Sequence, residues 1–106
     1  MSFKFNNSEW NLENELRCFV IFKELEHQGF PKGRQTELAR EMAKKTNLEV
    51  GNISAKISNY KSEAGINSPS NSSTATQEIY RKYGILSLSE AKAIYEGFRL
   101  CREQHD

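Results

Sequence analysis

A chain of 106 residues, 37% hydrophobic and 27% charged, suits one modest buried core; it is too polar for a membrane protein and too apolar to stay unfolded. Its longest apolar run, residues 18–22, falls far short of the roughly 20 residues that span a bilayer. Residues 1–5 lack the apolar stretch and cleavage site of a signal peptide, so a cytoplasmic location is expected. The net charge of +1 excludes a uniformly basic protein, but the charge is unevenly placed. Residues 29–62 carry Lys32, Arg34, Arg40, Lys44, Lys45, Lys56 and Lys61 against Glu37, Glu41 and Glu49, whereas residues 11–28 carry Arg17 and Lys23 against four glutamates. Such local asymmetry supplies phosphate contacts without a basic protein overall.

Residues 1–10, with Phe3, Phe5 and Trp10 among polar neighbours, read as an N-terminal arm; residues 11–106 read as one helical domain. Leu12, Leu16, Phe19, Val20, Phe22 and Leu25 recur at three- and four-residue steps and predict a helix over about 12–28. Asn11 caps it, early acids suit its positive end, and Gly29 and Pro31 stop it. A second helix is predicted over about 34–45, with Leu38, Ala39, Met42 and Ala43 as a narrow apolar stripe, followed by a turn at Thr46-Asn47-Leu48. The third, about 49–62, buries a seam of Val50, Ile53, Ile57 and Tyr60, and Ala64-Gly65 closes it. Residues 67–76, NSPSNSSTAT, read as a loop and as the most mobile segment. A short helix over about 76–83 carries Ile79, Tyr80 and Tyr83 and stops at Gly84. Ser87 and Glu90 form a capping box opening a last helix over about 88–103, whose buried face is marked by Ala91, Ile94, Tyr95, Phe98 and Cys101. No segment alternates apolar and polar residues. The expected fold is therefore all-α, about five helices, the first three forming a tri-helical unit.

The second and third helices stand at helix-turn-helix spacing. A recognition helix needs an apolar seam on the core, a slim outer face that fits the major groove, and side chains that bond base edges. The third helix has all three features. Gly51, Ser54, Ala55 and Ser58 keep it slim, while Asn52, Lys56, Asn59 and Lys61 supply donors and acceptors. Asn, Ser and Gly are poor helix formers, so their use on an exposed face points to a contact there. The expected DNA-binding set is Asn52, Ser54, Lys56, Ser58, Asn59 and Lys61, flanked by Lys32, Arg34, Arg40, Lys44 and Lys45 on phosphates. The start of the second helix, residues 33–36, offers backbone N–H groups to a phosphate. The expected partner is double-stranded DNA.

Catalytic equipment is not expected. Glu24, Glu26, Glu37 and Glu41 read as exposed helix charges, and Ser and Thr concentrate in the loop. His27 and His105 stand apart from any set that completes a metal site. Cys18 and Cys101 read as reduced, packed thiols, and no cofactor is expected.

Trp10, Glu15 and the run 18–22, then Glu37-Leu38-Ala39, Lys56-Ile57-Ser58-Asn59-Tyr60, Gly65-Ile66-Asn67 and a Ser-rich loop before Ile79-Tyr80, form a pattern over about residues 10–83. It resembles the N-terminal DNA-binding domain of HNH-type endonucleases from bacteria and phages. The resemblance implies a DNA-reading domain, here without the nuclease's His and Asn residues. Such a domain occupies DNA rather than cutting it, as a repressor of phage or mobile-element type or as a competitor of a related nuclease. The rival expectation is a protein-interaction adaptor using Tyr95 and Phe98 of the last helix, a surface that also offers a homodimer contact.

Overall fold

The computed structural model describes residues 10–105. Five helices follow in order: α1 Leu12–Gln28, α2 Arg34–Lys45, α3 Val50–Glu63, α4 Thr74–Tyr83 and α5 Leu88–His105, with no strand among the described residues. Of the N-terminal arm expected over residues 1–10, all but Trp10 lies outside the described residues.

The helix ends follow local chemistry. The Asn11 side chain accepts from the Asn14 N–H at 2.9 Å and caps α1. Gly29 adopts φ 78° in the left-handed region, which lets the Phe30 N–H reach back to the Leu25 carbonyl at 2.8 Å and close the helix. At α5 the Ser87 hydroxyl accepts from the Glu90 N–H at 3.2 Å, and the Glu90 carboxylate accepts from the Ser87 N–H at 2.9 Å. The Ser87 N–H, and after it the Ser87 hydroxyl, hold the Glu90 carboxyl below its ordinary pKa.

The α1 helix is the central post. Leu16, Cys18, Phe19, Phe22 and Leu25 are buried against Leu38, Ala39 and Met42 of α2, Ile53, Ile57 and Tyr60 of α3, and Ile79 of α4. Phe22 stacks on Tyr60 with centroids 5.9 Å apart. Each fully buried side chain of this size contributes about 1.5–3 kcal/mol, so the core holds chiefly by the face that sequence periodicity marks out. Lys23, also buried, donates to the Gly84 carbonyl at 2.5 Å and pairs with Glu26 at 2.9 Å. A cation there meets the negative end of α4, which ties α4 to α1.

Three expectations need correction. The Ser/Thr-rich segment is largely bonded rather than loose: α4 begins at Thr74, Ser73 caps it by accepting from the Thr76 N–H at 3.2 Å, and Ser72, Ala75 and Thr76 are buried. α3 starts one residue later and ends one later than predicted. On α5, Ala91 is buried and Ile94, Tyr95 and Phe98 are half-buried, but Cys101 is exposed while Cys18 is buried. α5 packs along α1, and in its last turns it is Arg102, paired with Glu13, that faces α1, while Cys101 lies beside that stripe.

Candidate nucleic-acid interface

The α2–α3 connection is built around Thr46 and Leu48. The Thr46 hydroxyl donates to the Met42 carbonyl at 3.1 Å and accepts from the Leu48 N–H at 3.2 Å, while Leu48 drops its side chain into the core. The turn thus ends α2, anchors itself and launches α3 with Glu49 at the N-cap position.

Gln35 fixes α2 against α3. Its Nε2 lies 3.0 Å from the Ser54 carbonyl, the Ser54 hydroxyl and the Ser58 hydroxyl. Its Oε1 accepts from Lys61 Nζ at 3.4 Å, and that ammonium also lies 5.4 Å from the centre of the Phe30 ring. Ser54, Ser58 and Lys61, expected to face DNA, are therefore turned toward α2.

Lys56 departs furthest from expectation. Its ammonium lies 3.0 Å from Glu15 Oε1 and within hydrogen-bond distance of the Ser73 and Thr76 hydroxyls, and its side chain is only 12% exposed. Trp10 covers it, with the ring centre 4.8 Å from Nζ. Glu15, fully buried, accepts through Oε2 from Tyr60 at 2.6 Å and from Thr76 at 2.8 Å. A buried carboxylate requires such compensation, and Lys56 supplies the charge. This corrects the reading of Lys56 as a groove contact: it is an interior counter-ion. Burial, then the Glu15 charge, pushes the Tyr60 phenol well above its ordinary pKa, and the same two causes raise the Cys18 thiol.

The C-terminal half of α3 is covered by the Ser-rich segment. Ser70 donates to Asn59 Oδ1 at 2.9 Å, Ser72 to the Asn59 carbonyl at 3.4 Å, and the Ser62 hydroxyl sits 2.6 Å from Asn67 Oδ1 and 2.8 Å from the Ser68 carbonyl. The open part of α3 is its first two turns, where Gly51, Asn52 and Ala55 are exposed. Asn52 has no hydrogen-bond partner among the described residues.

The flanking cations divide. Arg34 is half-buried and paired with Glu24 at 3.2 Å and Glu37 at 3.5 Å. Lys32, Arg40, Lys44 and Lys45 are exposed and carry no ion pair among the described residues. Sequence reasoning missed Gln35 and Trp10 as organisers of the site, and also Asn47, Arg17 and Arg102, which line a cleft beside the α2–α3 turn. The Glu13/Arg17 spacing of four residues signals their pairing, but nothing local in the sequence brings Arg102 to them.

Among the described residues, no group of three or more His, Cys, Asp and Glu is placed to hold a metal ion, and no helix is long and apolar enough to cross a membrane. Neither the protein-family models, nor the curated proteins, nor the solved structures provide a match to the chain.

Proposed function

We propose that this chain binds double-stranded DNA in a sequence-dependent way and acts by occupying its site, as a repressor of phage or mobile-element type or as a competitor of a related nuclease. The observation that carries the reading is the open start of α3. Gly51, Asn52 and Ala55 make a slim, uncharged, exposed surface directly after the α2–α3 turn, and the first turns of a recognition helix are the part that meets base edges. Asn52 is the base-reading side chain, suited to bidentate bonding with adenine. Arg40, Lys44, Lys45 and Lys32, all exposed, supply phosphate contacts that position the helix. The interior network of Trp10, Glu15, Lys56 and Tyr60 takes up several of the residues behind the resemblance to HNH-nuclease DNA-binding domains. In this reading that pattern marks how the tri-helical unit is held together, and the groove contact falls on residues beside it.

A second reading, a homodimer through α5, is favoured by one observation. Ala93, Gly97 and Leu100 lie at helical spacing and are all exposed, Leu100 by 57%. Two copies paired there would read a palindromic site.

Selection from a random duplex library tests the proposal. Enrichment of a discrete site, with binding that falls steeply as salt rises, is expected. Absence of any enriched site, with only weak low-salt binding, contradicts it. A palindromic winner, with sedimentation showing a dimer, supports the α5 contact.

A further inference from the structure

The α2–α3 turn borders a polar cleft of about 370 Å³ that opens between the start of α1, the end of α2 and the last turns of α5. Its chemistry is set by Asn11, Glu13, Arg17, Lys45, Asn47 and Arg102. Glu13 braces two guanidinium groups: Arg17 meets its Oε2 at 2.9 Å, and Arg102 pairs with its Oε1. Each guanidinium carries five N–H donors, so both keep donors beyond those spent on Glu13. Among the described residues, the buried Arg17 Nε has no hydrogen-bond partner. Lys45 stands exposed at the rim, without an ion pair among the described residues. Three cations thus face one carboxylate, and the positive end of α1 adds to them. The negative end of α2 opposes an anion, and Lys45 in its last turn offsets that.

We propose that this cleft seats a backbone phosphate of duplex DNA, held chiefly by Lys45 and Arg102 and oriented by Asn47, while the first turns of α3 enter the neighbouring groove. The inference rests on the DNA reading above and extends it to α1 and α5. Asn47 stands two residues before the N-cap position of α3, so the cleft and Asn52 lie at the same end of the helix pair. A phosphodiester presents two unesterified oxygens, which suits forked donors flanked by an ammonium. The contact fixes register and carries no sequence information of its own.

The test uses the full chain, the duplex selected above and a scrambled duplex of equal length. Wild type is titrated across salt concentrations beside Lys45→Gln, Arg102→Gln and Lys92→Gln, the last an exposed lysine early in α5 and away from the cleft. Thermal melting identifies any variant that has lost its fold. Lys45→Gln and Arg102→Gln are each expected to weaken both duplexes by a similar factor, about three- to tenfold, and to reduce the salt slope by about one. Lys92→Gln should bind as wild type. Folded Lys45→Gln and Arg102→Gln with wild-type affinity and slope overturn the cleft proposal while leaving the DNA reading intact. An equal loss in Lys92→Gln overturns it too, because the effect is then one of general charge. Wild type that selects no site at all defeats the DNA reading itself, and the phosphate seat with it.

Discussion

Tyr60 donates its phenol proton to Oε2 of Glu15 at 2.6 Å, and both side chains are fully out of solvent. The bond joins α3 to α1 across 45 positions of sequence. Tyr60→Phe keeps the ring's packing on Phe19 and Phe22 and removes only the donor. A buried acceptor that loses one partner costs about 1–3 kcal/mol. Urea unfolding should show that loss with an unchanged m-value, and a midpoint equal to wild type would contradict the bond's role.

Lys56→Met is expected to cost more. It leaves the Glu15 carboxylate buried without its counter-charge, a change worth about 3–5 kcal/mol in comparable settings. Adding Glu15→Gln should recover part of the loss, because the uncompensated charge is gone. At a temperature where Lys56→Met remains folded, its affinity for the selected duplex should stay within about twofold of wild type, as befits an interior residue. A stable Lys56→Met protein that has lost DNA affinity would return Lys56 to the interface.

The same network predicts loss of stability in alkali. Tyr60 and Cys18 are held above their ordinary values of 10.0 and 9.0, so the unfolded chain releases these protons first. The stabilisation is therefore intact below about pH 9 and drains away as pH climbs through the ordinary values toward the raised ones. Urea midpoints at pH 8, 9, 10 and 11 should fall progressively. Cys18→Ala should remove the part that begins near pH 9, and Tyr60→Phe the part that begins near pH 10. Midpoints that hold level to pH 11 would contradict the assignment.

The two cysteines should separate in reactivity. Cys18 is buried beside Met42, with its Sγ 3.6 Å from the thioether sulfur, whereas Cys101 lies exposed on α5. Thiolate attack requires both access and ionisation. Under native conditions at pH 8, iodoacetamide should modify Cys101 and spare Cys18, with the second site reacting only after urea is added. Mass spectrometry of the digested protein reads this directly, and equal labelling of both would place Cys18 at the surface.

The helices were legible because their signals are local. The 3.6-residue period of α1, the Asn11 cap, the Gly29 stop and the Ser87–Glu90 box each lie within a few residues of the end they define. The inward turn of Lys56 was not legible. Along α3 it looks like any outward lysine, and only α1 and α4, bringing Glu15, Ser73 and Thr76, create the demand for its charge. The Ser-rich segment misled for a similar reason: its composition matches a free loop, but its hydroxyls find the Asn59, Ser62 and Glu15 acceptors that only tertiary folding supplies. Of the expected site, the slim start of α3 and the exposed cations of α2 stand where periodicity put them. Ser54, Ser58 and Lys61 were claimed by Gln35 from the neighbouring helix.

Asn52 and Asn59 give the sharpest test of the interface, because they lie seven residues apart on one face of α3 and differ in what they touch. Asn59 has its Oδ1 occupied by Ser70, while Asn52 is exposed without a partner among the described residues. If the first turns enter the groove, Asn52→Ala should cost about 1–3 kcal/mol against the selected duplex and relax preference at one base-pair position. Asn59→Ala should change affinity by less than about threefold, since its loss is felt mainly by the Ser70 hydroxyl. Ala55→Glu should abolish binding to any duplex by setting a negative, bulky side chain on the slim face. Competition titrations with single-position variants of the site measure all three. Asn59→Ala losses as large as those of Asn52→Ala would mean that the Ser-rich segment lifts away on binding and that the second half of α3 also reads DNA.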